Sequence, residues 1–423
     1  MKRVLLKDIS KSKLTGGEVG DAGIKYNACT AIEDPSGIGQ MIHNFYSGSI
    51  IELKDSTLLT EKGQRSRDSG KSWSAEKQLF DDPDEVAVRG MLRLPNGDLG
   101  IYYVKGGSIE AALGDTTTTW YSRWSADEGQ TWSDKVSITI PGLTQGLSGT
   151  HFTLQSGRVC IVTYSQFVSA QELWGGSWGM YKGHRIKTES EAHFAEMLVT
   201  RVYYTDDNCR SWKANKSWIM GWRESKPKWT DSFVEATGCQ LRDGRIYLIG
   251  RSLIGRMLEC HSENDGELFS YAKPTALMSS YSPGRLIQDP DNGNLIYVWN
   301  QISRAENKRG FRRCRLSSAV STDEGKTWEN FKNIYAIDCL KGKSHLEPDS
   351  DLTPAWGDDE IGELPEDFEM WHYPTASLIG RDVFMGLVHN AIEVATNDSG
   401  KEEAKYKHDS LTRVIPLDWF YET

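Results

Sequence analysis

The sequence predicts an all-β protein: a six-bladed β-propeller of four-stranded antiparallel blades. Two observations predict it. An eight-residue turn motif recurs six times along the 423 residues, and six β-hairpin patterns alternate with it. The 15 Trp and 17 Tyr supply the flat aromatic filling that layered sheets require.

The motif is complete in SRDSGKSW (Ser66–Trp73), SADEGQTW (Ser125–Trp132) and STDEGKTW (Ser321–Trp328), which share S-x-D-x-G-x-[ST]-W. Weaker copies are TDDNCRSW (Thr205–Trp212), with Cys209 in the Gly position, and SENDGELF (Ser262–Phe269), with Asn264 for Asp and Phe for Trp. TNDSG (Thr396–Gly400) keeps the first half only. Asp or Asn accepts backbone N–H bonds across such a turn, Gly supplies the positive φ, and the closing aromatic packs into a sheet. An EF-hand calcium loop needs more oxygen ligands and a bidentate Glu at its twelfth position, so these are structural turns.

The hairpins are IIELKDSTLL, MLRLPNGDLGIYY, FTLQSGRVCIVTY, CQLRDGRIYLIG, RLIQDPDNGNLIYVW and ASLIGRDVFMGLV, each a pair of apolar runs around a polar turn. Each is followed by one copy of the motif, so two hairpins per unit make a four-stranded blade. The whole chain, 1–423, reads as a single propeller domain, with residues 1–40 packing on or closing it.

Composition narrows the function classes. A formal charge of −10 argues against nucleic acid as a general partner. No apolar run approaches a membrane span, so a membrane partner is not expected. The start, MKRVLLKDISKSKLTGG, has only a three-residue apolar run and lacks a signal-peptide core, so a cytoplasmic location is expected unless a leader has been removed. Seven cysteines without CxxC spacing point to free thiols in a reducing compartment rather than to disulfides or zinc. No motif calls for a metal or cofactor.

The octapeptide resembles the Asp box, or BNR repeat, of the sialidase superfamily, and the resemblance runs from about Tyr46 to the closing RVIPLDWF. In a propeller the 1–2 and 3–4 turns share one face, so both repeats decorate that face. The long segments 104–119, 165–200, 213–233 and 330–371 belong to the other, where sites are usually built. Among them WGGSWGMYKGHR (Trp174–Arg185) is either a sugar-stacking rim or an ordinary packed loop. Strand starts place Ser47, Arg89, His151, Glu235, Arg285 and Tyr373 around the central cavity; strand ends add Tyr103, Tyr164, Arg251, Asn300 and His389.

Sialidase-like proteins hold a substrate carboxylate with three arginines and use a Tyr nucleophile activated by Glu, with an Asp as acid/base. The resemblance implies these roles for four positions here. FVEATGCQLRDGRIYLIGRS places Glu235 sixteen residues before Arg251; RCRLSSAVSTDEGKTW carries Arg313, eight residues before the box serine; HYPTASLIG carries Tyr373. The first blade departs from the pattern: YSGSIIEL puts Ser47 where the first Arg belongs, and the connection TEKGQR is expected to be too short for the Asp. Arg89 is the expected substitute cation, and His151, His372 or His389 the expected proton donor. The expected partner is an acidic oligosaccharide or glycoside. Three functions fit: a sialidase-like hydrolase, a lyase acting on uronate-containing glycans by β-elimination, and a non-catalytic glycan-binding propeller.

Overall fold

Each turn motif closes on itself through its own polar side chains. In the first, Ser66 Oγ accepts from the Gly70 N–H at 2.9 Å and the Asp68 carboxylate accepts from the Ser72 N–H at 2.9 Å. The second repeats this with Gly129 to Ser125 at 2.8 Å and Thr131 to Asp127 at 2.9 Å. Gly70 sits at φ +88°, and a Cβ there would lie 2.6 Å from the Phe384 ring, so both conformation and space demand glycine. Cys209 adopts the same left-handed backbone at φ +68°, buried, with its N–H on Thr205 Oγ1 at 3.1 Å. The closing Trp73 packs against Phe45 at 4.9 Å between ring centroids.

The computed structural model describes residues 3–5, 27–82, 86–105, 119–140, 149–167, 172–174, 177–188, 192–193, 197–221, 233–348, 360–397 and 399–422. Nine sheets form among these residues, and six antiparallel ones follow one another along the chain. Sheet 1 holds Ile50–Glu52, Leu58–Thr60 and Arg65–Ser66. Sheets 2 to 5 are four-stranded, each in simple chain order: they begin at Val86–Arg93, Thr150–Thr153, Val234–Gln240 and Arg285–Gln288. Sheet 6 is built on the 15-residue strands Asp382–Thr396 and Glu402–Pro416; Ser377–Ile379 and Glu369–His372 pair with the former, and Gln40–His43 pairs with the latter. Helix is almost absent among the described residues: Arg304–Lys308 forms a short α-helix with a capping box on Ser303.

The apolar core lies between successive sheets. One cluster joins Ile50, Leu58 and Trp73 of the first unit to Phe384 and Val414 of the sixth, and another joins Leu59 to Met91 and Ile101 of the second. Corresponding clusters fill the interfaces of sheets 2 and 3, 3 and 4, 4 and 5, and 5 and 6. Each fully buried Leu or Ile in them stabilises by about 2 kcal/mol. Hydrogen bonds stitch the inner strands: Ser49 Oγ receives the Met91 N–H at 3.1 Å, Thr150 Oγ1 donates to Ala236 O at 2.9 Å, and the Ile50 N–H donates to Ser377 Oγ at 2.8 Å.

The two kinds of turn do share one face. Arg93, at the end of the first strand of sheet 2, bonds the box residue Glu128 at 2.7 Å, and the Asn96 N–H bonds Asn208 Oδ1 of the next box at 3.2 Å. On the other face, Trp178–Tyr181 pairs antiparallel with His184–Lys187 and parallel with Glu360–Glu363. Tyr181 and Ile186 are buried there, and the Arg185 guanidinium lies 4.2 Å from the Trp178 ring. This is a packed sheet rather than an open rim. Residues 106–118, 189–191 and 222–232 of the long segments lie outside the described residues.

Candidate active site

One cavity of about 1150 Å³ is bordered by residues of all six sheets, among them Glu61, Arg89, His151, Glu235, Arg285 and Tyr373. Four of the six predicted site residues therefore meet in one space. The other two, Arg251 and Arg313, do not border it but contact residues that do, Glu235 and Tyr373.

Tyr373 and Glu235 share an uncommon backbone. Their φ angles are +53° and +48°, left-handed values that cost a non-glycine residue about 1–2 kcal/mol. At Glu235 the strand register slips between Val234 and Thr237, so the left-handed residue sits at a bulge that re-aims its side chain. At Tyr373 the chain is pinned on either side: the Trp371 N–H donates to Arg313 O at 3.0 Å, and Thr375 Oγ1 donates to Ser47 O. Tyr46 Oη adds a bond to Tyr373 O at 3.4 Å.

Arg251 donates to the Glu235 carboxylate, and its guanidinium lies 3.4 Å from the Tyr281 ring centroid. Burial by itself lowers the Arg251 pKa, but the facing Tyr281, Glu235 and Tyr373 outweigh it and hold the guanidinium charged. Arg313 bonds His372 Nδ1 at 2.9 Å and stands 5.1 Å from the Tyr373 ring. Burial, then Arg313 itself, pushes His372 well below the usual imidazole range, so it is a neutral acceptor. Its Nε2 faces Asn390 Nδ2 at 3.0 Å, and Asn390 Oδ1 meets His408 Nδ1 at 2.7 Å.

His151 Nδ1 lies 2.9 Å from Tyr102 Oη. Burial, helped by Arg285, lowers its pKa to about 3, so the imidazole is uncharged near neutrality. Arg89 and Arg285 both have their guanidinium pKa lowered, first by burial.

The structure adds two residues that sequence reasoning missed. Glu61, in the TEKGQR connection, borders the cavity, buried, with its oxygens accepting from the Gly48 and Ser49 N–H groups at 2.8 and 3.0 Å. Burial raises its pKa above the usual carboxylate range despite those bonds. A connection expected to be too short for a carboxylate is short enough to keep one beside the inner strand; an acidic residue directly after a strand end was the available signal. The second is Tyr102, which borders the cavity where Tyr103 is expected as a strand end. A register shift opposite Arg89 changes the phase, and Gly90 leaves room for the Tyr102 ring, whose Oη would lie 2.2 Å from a Cβ there. Tyr103 instead bonds Arg123 at 3.2 Å on the far side of the sheet. Nor do Asn300 and His389 border the cavity. Asn300 bridges Arg315 O and Trp371 O, at 3.0 and 2.8 Å, in the seam between sheets 5 and 6, and His389 stacks on Trp371.

Residues 63–389 match the model of the BNR repeat-like domain, and the chain belongs to that family. Among solved structures it is similar to the intramolecular trans-sialidase of Ruminococcus gnavus, with a TM-score of 0.50 at 10% identity over 97% of this chain and 98% of that one. It also resembles a protein of unknown function from Dyadobacter fermentans (TM-score 0.49, 14% identity, 92% and 94% covered) and the GH93 α-L-arabinofuranosidase of Fusarium graminearum (TM-score 0.48, 12% identity, 94% and 99% covered). A search of curated proteins found no match.

Proposed function

We propose that this protein is a glycoside hydrolase acting on a carboxylate-bearing sugar, in the cavity of a closed six-bladed propeller. Closure is supported by an apolar cluster between every successive pair of sheets, the sixth and first included. A small-angle scattering curve fitting an open crescent rather than a disc would overturn it.

The observation that carries the enzymatic reading is the meeting of Tyr373 and Glu235, both held in left-handed backbone, at one cavity backed by Arg251 and Arg313. Strain of this kind persists where surrounding structure over-determines it, and it concentrates at working sites. Tyr373 Oη attacks the anomeric carbon while the bond to the leaving oxygen breaks. Glu235 takes the phenolic proton, and Glu61, a buried carboxyl whose pKa burial raises, gives a proton to the leaving oxygen. Water then displaces Tyr373 from the sugar, returning a proton to Glu61, and the phenolate recovers its own from Glu235. Kinship in fold with a trans-sialidase supports a sugar as the ligand.

The test is Tyr373→Phe assayed on aryl glycosides of acidic sugars. Turnover is expected to fall at least about a thousandfold with sugar affinity retained. Full activity in the variant rules out this nucleophile, and absence of turnover in the parent on every acidic glycoside leaves a glycan-binding propeller.

The Tyr102–His151 pair favours a second reading. A neutral imidazole beside cations could take the C5 proton of a uronate, with β-elimination as the outcome. A product with new ultraviolet absorbance, formed equally by parent and Tyr373→Phe, identifies this chemistry.

A further inference from the structure

Three of the buried arginines pair with carboxylates: Arg251 with Glu235, Arg315 with Glu306 and Arg413 with Asp34. Arg89 and Arg285 do not. Both border the central cavity, on the first strands of sheets 2 and 5, and neither takes part in a hydrogen bond or ion pair among the described residues. The Nε of each is buried with no partner, as it is in Arg251 and Arg315, but those two have a carboxylate on their terminal nitrogens.

The groups facing them cannot balance the charge. Arg285 feels the phenols of Tyr102 and Tyr46 and the neutral His151; Arg89 feels Tyr46, Tyr164, Tyr102 and the single carboxyl of Glu61. Both Glu61 oxygens already accept backbone N–H groups. Phenols are uncharged near neutrality. Two guanidiniums thus face one cavity with ten N–H donors between them and no acceptor committed to any, in a chain of net charge −10. Burying two like charges this way is costly unless an anion enters.

We propose that Arg89 and Arg285 form an anion subsite that takes the carboxylate of the sugar, leaving Arg251 to Glu235 and Arg313 to His372. The inference rests on the reading of the cavity as a sugar site and is independent of whether hydrolysis or elimination follows. It departs from the arginine pair that the sequence suggests, because those two guanidiniums are already engaged. The register shift beside Arg89 supplies the structural reason: it turns a residue of a regular inner strand toward the cavity. A planar carboxylate suits paired guanidinium forks.

The experiment is calorimetric binding of D-glucuronate, with D-glucose and inorganic sulfate as controls, to the full chain and to Arg89→Gln, Arg285→Gln, the double variant, Arg313→Gln and Tyr373→Phe. The parent is expected to prefer glucuronate to glucose and to sulfate. Each single Gln variant at 89 or 285 should weaken glucuronate at least tenfold, the double variant should bind it no better than glucose, and Tyr373→Phe should bind it unchanged. Glucuronate should raise the parent's melting temperature and leave that of the double variant unmoved. The proposal is overturned if the preference survives in the double variant or vanishes only in Arg313→Gln. Sulfate binding as tightly as glucuronate, or no preference in the parent, overturns the assignment to a sugar carboxylate. Should a variant fail to fold, a glucuronate soak of parent crystals reads the same contacts. Full turnover in Tyr373→Phe with loss of binding in Arg285→Gln would remove the hydrolase and keep the subsite.

Discussion

Glu61 is a carboxyl whose environment pulls in two directions. Burial favours its protonated form, while the Gly48 and Ser49 N–H groups favour the carboxylate, and burial prevails. If it is the proton donor, Glu61→Gln should lower turnover on glycosides with poor leaving groups by about a hundredfold or more and spare those whose leaving group needs no proton. A uniform loss on both substrates would make Glu61 a brace for Gly48 and Ser49 instead. His151 gives a separate signature in stability. Its folded pKa, about 3, lies below its ordinary value of about 6.5. The unfolded chain therefore binds a proton that the folded chain refuses between those values. The stability it preserves is whole above about pH 6.5 and is lost as pH falls toward about 3. Urea midpoints for the parent should drop between about pH 7 and about pH 4, and His151→Gln should flatten that slope; an unchanged slope contradicts the buried neutral imidazole.

The turn motifs carry their own pH dependence, in a lower window. Asp68 is held at about 2, first by the Ser72 hydroxyl and N–H, and Asp127 at about 2, first by Thr131. Folded values below the ordinary 3.8 mean that their contribution is present above about pH 4 and is lost as pH falls toward about 2. The fourth motif along the chain is a natural control: Asn264 Oδ1 accepts the Leu268 N–H at 2.9 Å with no proton to gain. Asp68→Asn should therefore fold and unfold less steeply in acid than the parent, as read by circular dichroism against pH. Identical acid profiles would show that the motif carboxylates contribute nothing there. The six turns were legible in sequence because all their partners lie within eight residues. The phase of Tyr102 against Tyr103 was not, because a bulge is set by the neighbouring strand.

At the scale of the molecule, an early strand and the last strand meet in sheet 6. Gln40–His43 pairs with the strand Glu402–Pro416, with His43 opposite Leu411 and Gln40 opposite Val414. Beside that pairing Arg413, buried, bonds the Asp34 carboxylate, Ser36 Oγ at 2.6 Å and Ile334 O of sheet 5 at 3.1 Å. Removing the carboxylate leaves an uncompensated buried charge. Asp34→Ala is thus expected to destabilise by about 3 kcal/mol in equilibrium urea unfolding. A loss below about 1 kcal/mol would mean that water reaches Arg413 and that the joint does not depend on this pair.

The sequence by itself pointed to the repeat, its turns, and Tyr373, Glu235, Arg89 and His151 as residues around one cavity. All of these follow from local chemistry and from a period read along the chain. Tyr373 lies between strands and Arg89 within one rather than at a strand start. Only the tertiary structure decided which cations are free. Arg251 and Arg313 are engaged by Glu235 and His372, while Arg89 and Arg285, 196 positions apart, share one cavity with no carboxylate bonded to either among the described residues. Charge pairing depends on distances between residues on different sheets, and spacing along the chain carries no record of them.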